Sequence, residues 1–300
     1  MSHFAAFAIA LSGLTLLSNS PAPPGPNGQI IVQGQRERAE IDKFVDQLSP
    51  QQADIQLGKF FVPVCPGVVG LPDGQNKLVE ARMRTVAAAI GAPVAADGCV
   101  PDVIVVVAQD KKAAIEDLQR RRPWLLGDIA TGDIRLLKRL PGPAAGWQVV
   151  GKVVSDGMPL NRVRYGAATD MAGNEAMLAK GFGVVGRLQQ ATVPQFVVSV
   201  VVIEDRALDR VTTIQLADYA TMRALAPISW RSASMPARSI LNLFDPGKAL
   251  AEQPASVTWW DVALLKSVYD TSNSVPADIQ RSAIAAMMKR QIDKVAPEDR

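Results

Sequence analysis

Acid–base, nucleophilic and metal chemistry most often begins with histidine or cysteine. This 300-residue chain has one histidine, His3, and two cysteines, Cys65 and Cys99. Catalytic zinc normally takes His ligands, and a Ser-His-Asp triad takes an imidazole, so His3 alone leaves both without their parts. Two distant cysteines cannot complete a zinc site. Neither G-x-S-x-G nor S-x-x-K occurs. What remains is carboxylate chemistry, in which a pair of Asp or Glu residues hydrolyses a glycosidic bond. Four aspartates, Asp110, Asp133, Asp209 and Asp261, each stand where a helical pattern begins, and a helix cap is the ordinary role of Asp there. Metal and cofactor are therefore not expected.

Gly181-x-Gly183-x-x-Gly186, with Glu204 further on, matches a dinucleotide fingerprint in letters only. Such a site needs a strand before the first glycine and a full helix after the last. NEAMLAK before it reads as helix, and RLQQATVP after it meets Pro194 within two turns. A Gly-rich turn is the plainer reading. Arg120-Arg121-Arg122 ends a helix, where cations meet the negative end of the dipole. A net charge of +3 with 5% aromatic residues argues against a nucleic-acid partner.

The elements that must position these residues are those of an α/β protein: mixed α+β layers, with a sheet flanked by amphipathic helices. Val103–Ala108 (VIVVVA) and Phe196–Ile203 (FVVSVVVI) are unalternating apolar runs, the signature of strands covered on both faces. Further strands are expected at Gln29–Val32, Phe60–Val64, Trp147–Val154 and Ile240–Phe244. Helices are expected at 36–48, 75–90, 110–122, 133–140, 209–225, 258–269 and 276–295. The first of these carries Ile41, Phe44, Val45 and Leu48 at helical spacing, and the second Val79, Met83, Val86 and Ile90. The span 155–191 is Gly- and Ala-rich, and both a surface excursion and a hairpin fit it. With 48% hydrophobic residues the chain can bury a large core, and 29–300 reads as one domain with a Pro/Gly-rich point of subdivision at 141–146.

No Asp, Glu, Lys or Arg occurs before Arg36, and Phe4–Leu17 is an apolar run of signal-peptide length, too short to span a bilayer. Residues 1–22 are expected to be an export signal and 23–28 a Pro/Gly-rich linker, with no membrane span left after cleavage. A periplasmic or secreted protein can keep disulfides, so Cys65 and Cys99 read as one bridge, with two buried thiols as the alternative. Adjacent Trp259 and Trp260 point about 100° apart on a helix, one into the core and the other toward a contact.

The chain resembles a group of exported bacterial proteins of unknown function. The likeness lies in Cys65-Pro66-Gly67-Val68-Val69-Gly70, Gly98-Cys99-Val100-Pro101, Leu216-Ala217-Asp218-Tyr219 and Trp260-Asp261 with Leu264-Leu265. More distantly, the strand at 196–203, the helix at 209–225 and Asp261-x-x-Leu264-Leu265-x-x-x-Tyr269 resemble a zincin-like layout. The helix that would hold H-E-x-x-H reads TTIQLADYATMRAL, so this resemblance implies a binding or structural module that has lost the metal. The sequence thus points to a non-catalytic envelope module. Its partner would be another envelope component or a small ligand, with Asp218, Tyr219, Trp259, Trp260 and Asp261 as candidate contacts. The competing reading is a hydrolase using carboxylates alone on a glycan-type substrate. A receptor for a small ligand would place a deep apolar pocket near Trp147, Trp259 or Trp260.

Overall fold

Val103–Ala108 needs cover on both faces and receives it. A computed structural model describes residues 37–49, 56–154, 161–162, 177–178, 192–232, 235–236, 238–245, 247 and 253–292. Its main sheet has strands β1 (Pro66–Val69), β2 (Val103–Ala108), β3 (Ala144–Val154) and β6 (Thr192–Glu204), in the order β1-β2-β6-β3. β1, β2 and β6 run parallel; β3 is antiparallel to β6, with a register shift after Val149. Between them in sequence, β4 (Asn161–Arg162) and β5 (Met177–Leu178) pair antiparallel, so 155–191 contains a short ladder.

Alternation along the strands feeds two cores. Val103, Val105, Val201 and Ile203 point into one, which is covered by α1 (37–45), α2 (Asp73–Ala89), α5 (Thr213–Leu225), α6 (Trp259–Asp270) and α7 (Ala277–Ile292). Ile104, Val106, Val200 and Val202 point into the other, covered by α3 (Lys111–Arg121), a 3-10 turn at Pro123–Leu126 and α4 (Thr131–Lys138). The mixed α+β architecture expected from the sequence is the one observed. Among the described residues no helix is long and apolar enough to cross a membrane. The signal and linker segments, the strand at 29–32 and Gly181, Gly183 and Gly186 lie outside the described residues.

Several boundaries differ from expectation. Phe60–Val64 is not a strand: only single bridges form there, Lys59 with Gln195 and Val64 with Val94. The strand begins at Pro66 instead, which an edge strand tolerates at its first residue. It ends at Val69, and Gly70 after it has φ +99° and a built Cβ 1.9 Å from the Val107 carbonyl oxygen, so only glycine fits. Ile240–Asn242 is a 3-10 turn rather than a strand. Asp110 does cap α3, accepting from the Ala113 N–H at 2.7 Å. Asp133 does not cap; it sits in the first turn of α4 and pairs with Arg231 at 2.6 Å. Nor does Asp209, because Thr212 and Gln215 form a capping box that starts α5 three residues later than an Asp209 cap would. The Arg120 and Arg121 side chains are exposed and pair with Asp117, a solvated helix end.

Cys65 and Cys99 are bonded, with their Cα atoms 6.0 Å apart. The bridge ties the residue before β1 to the loop that leads into β2. Asp102 reinforces the same corner by accepting from the Cys65 N–H at 2.7 Å. The Arg84 guanidinium donates to Cys99 Sγ at 3.2 Å.

At the far end of α6, Lys59 is buried and donates to the carbonyls of Tyr269 and Thr271 at 2.8 Å and of Val268 at 3.3 Å. It supplies donors where a helix C-terminus lacks them. Burial lowers its pKa from 10.5 to about 8, partly opposed by Asp270. Between those two values the unfolded chain holds a proton that the folded chain has released, so stability rises with pH across that window. Urea unfolding from pH 8 to 10 is expected to show this component, approaching about 1.4 kcal/mol per pH unit, in the wild type and not in Lys59→Met. Parallel pH profiles for the two proteins would contradict it.

Candidate functional site

The carboxylates singled out by sequence are fastenings within the fold. Asp218, on α5, has no solvent exposure and accepts four bonds. Arg82 of α2 donates through Nε at 2.7 Å and Nη2 at 3.0 Å, Ser256 through its hydroxyl at 2.7 Å, and Val257 through its N–H at 2.8 Å. The bond to Asp218 holds the Arg82 guanidinium above its ordinary pKa. Asp261 is also fully buried. It accepts from the Ser239 hydroxyl at 2.5 Å, the Ile240 N–H at 2.9 Å and the Thr258 N–H at 2.9 Å, closing a capping box with Thr258. Burial raises its pKa, and these donors oppose the rise. Both groups have their lone pairs directed at the chain itself, which leaves neither facing a cleft.

The aromatic candidates divide as their helical spacing requires. Trp260 is buried, edge-on to Phe44 at 5.8 Å, while Trp259 is half-buried and edge-on to Trp260 at 5.2 Å. Trp147 is core, its indole N–H donating to the Leu125 carbonyl at 2.7 Å. Tyr219 stacks edge-on with Phe244 at 4.8 Å and lines a small pocket. Neither cavity described below is lined by Trp147, Trp259 or Trp260.

Open α/β sheets place ligands outside the carboxyl ends of their parallel strands. Here that edge carries a charged cluster. Glu204 ends β6 and is 7% exposed; it accepts from the Lys111 N–H at 3.2 Å and from Arg206 Nε and Nη2 at 2.8 and 2.6 Å. The Lys111 ammonium, buried, donates to the Leu140 and Gly142 carbonyls at 2.7 and 2.6 Å, and desolvation lowers its pKa. Lys111 and Glu204 thereby fix the 140–143 turn against the end of β6.

Beside this turn opens a groove of about 370 Å³. Pro143, Val211, Leu243 and Phe244 give it apolar walls, and Arg206, Asp209, Arg210 and Asp245 give it charge of both signs. Arg206 is engaged by Glu204. Arg210 has no ion pair among the described residues. Sequence reading missed this site. Its one available signal was the charge-dense run DRALDR at 205–210, directly after the second buried strand, and Asp209 there was read as a cap. Among the described residues no three His, Cys, Asp or Glu side chains converge as a metal site requires.

The fold defines a layered α/β protein with a groove lined by residues of both charge signs at the carboxyl ends of its parallel strands. Compared with protein families, curated proteins and solved structures, the chain matches none.

Proposed function

We propose that this is an exported, non-catalytic binding module of the periplasm or extracellular space, and that its ligand occupies the groove beside Pro143 and Phe244. The carrying observation is the lining of that groove: apolar walls, Arg206 and Arg210, and Asp209 and Asp245 in one cavity of about 370 Å³. Small-molecule sites typically run about 300–1,000 Å³ and combine apolar walls with a few placed polar groups. A groove offering both charge signs beside aromatic and aliphatic carbon suits a zwitterion with an apolar side chain, such as a short peptide with free termini. The bond between Cys65 and Cys99 supports an oxidising compartment. The saturation of Asp218 and Asp261 by internal donors supports binding over carboxylate catalysis at those positions.

Calorimetric titration with the dipeptide Ala-Phe tests this reading. The wild type is expected to bind it, and Arg210→Ala to bind about 10-fold or more weakly, as loss of a charged hydrogen bond implies. N-acetyl-Ala-Phe-amide, with neither charge, is expected not to bind. Equal affinity for both peptides, or no binding of either, would overturn the reading.

A further inference from the structure

We propose that Arg223 holds a small monovalent anion, a halide or a single carboxylate group, in the pocket next to the groove. Arg223 lies on α5, is 7% exposed and carries a guanidinium charge. Its acceptors among the described residues are two neutral carbonyls, Ser232 at 3.1 Å and Trp230 at 3.5 Å, and its buried Nε has none. The other two buried cations among the described residues, Lys59 and Lys111, each have two carbonyls at 2.8 Å or less, and half-buried Arg82 has Asp218. A guanidinium taken out of water without a counter-charge is strongly destabilising.

The arginine is nonetheless accommodated deliberately by the sequence. At Gly146 of β3 a built Cβ would stand 2.6 Å from Arg223 Cγ, so any larger residue would displace the side chain. Glycine weakens a strand interior, and here it admits the arginine stem.

The pocket that Arg223 lines has room for about 30 Å³, roughly one water or one small ion. Its other walls include Tyr219, Trp230, Arg231, Ser232 and Phe244. Arg231 lies over the Trp230 ring at 4.0 Å and is paired with Asp133, so the charge left unanswered is that of Arg223. Burial holds the Tyr219 phenol protonated, which keeps it available as a second donor. One net positive charge, one hydroxyl donor and space for one ion describe a small-anion site. Its charge balance is separate from that of the groove.

Thermal unfolding of the full chain at constant ionic strength tests this, with chloride or acetate replacing bulky benzenesulfonate up to about 100 mM, since a bound ion raises Tm. The wild type is expected to show a saturable rise of several degrees and Arg223→Met none. A rise with both ions identifies a general monovalent site, and a rise with acetate alone a carboxylate site. No saturable rise in the wild type, or the same rise in Arg223→Met, would overturn the proposal. Should that variant fail to fold, wild-type crystals soaked in sodium bromide answer the same question: an anomalous peak beside the Arg223 guanidinium supports the site, and its absence refutes it.

Discussion

Replacing Asp218 with alanine is expected to lower the unfolding free energy by about 3–5 kcal/mol, the range for breaking a buried ion pair. The group has no exposure and receives a forked guanidinium, a hydroxyl and a backbone N–H. Its removal orphans donors from two parts of the chain, Arg82 of α2 and Ser256 and Val257 in the segment that leads into α6. The Arg82 side chain is 30% exposed and can partly rehydrate, which places Asp218→Ala toward the lower end of the range. Arg82→Met should cost at least as much, because it strands a fully buried carboxylate. The double variant Asp218→Leu with Arg82→Met should recover much of the loss, since an apolar pair requires no counter-charge. Urea unfolding followed by circular dichroism measures all three. Single-variant losses below about 1 kcal/mol would show the pair to behave as an exposed one. Because the role is a fastening one, dipeptide affinity in the folded fraction of Asp218→Ala should match the wild type.

The second large effect belongs to the bridge. Cys65→Ala with Cys99→Ala frees a loop with a sequence separation of 34, and the chain-entropy relation gives a loss of roughly 3–4 kcal/mol. For a chain of this size that corresponds to a fall in Tm of roughly 5–7 °C. Scanning calorimetry with and without reductant should show the same fall in the wild type on reduction and no further fall in the double variant. An unchanged Tm would mean that the corner formed by Asp102 and the start of β2 holds without the bond. Since the bridge lies at the amino ends of β1 and β2, opposite the groove, ligand affinity should survive its loss.

What could be read in the sequence follows the strength of local signals. VIVVVA and FVVSVVVI have no polar face, so two-sided burial and a helix-covered sheet follow directly, and the long periodicity of Val79, Met83, Val86 and Ile90 placed α2 to within two residues at its start and one at its end. Thr258-x-x-Asp261 declared its helix start because a capping box is a local device. Local signals failed where tertiary partners decide. Every residue of α5 from Leu216 to Leu225 is buried, because this helix packs against the sheet on one side and other helices around it, which no one-sided periodicity announces. Ile214, which shares one side of the helical pattern with Ala217 and Thr221, is 49% exposed. Asp133 had the right position for a cap and instead found Arg231, nearly a hundred residues away.

The functional edge was harder still. Asp218 and Asp261 stood out because they lie in the motifs that carry the resemblance, and the structure shows each buried and held by donors of the chain itself. The groove residues, by contrast, look ordinary in sequence: Arg206, Asp209 and Arg210 are surface charges, and Phe244 is a lone aromatic. Only the parallel arrangement of β2 and β6 gives them a shared address at the carboxyl edge. A single histidine, His3, remains a real constraint on chemistry, but it says nothing of where a ligand sits.

The most direct measurement of the central claim is an amide NMR titration of the folded chain with Ala-Phe. The account predicts saturable shifts confined to residues 206–211 and 243–245 and the adjoining turn at Gly142 and Ala144, with the amides of Val257 and Asp261 unmoved. Saturable shifts centred on 256–261 and Tyr219, or none anywhere, would contradict it.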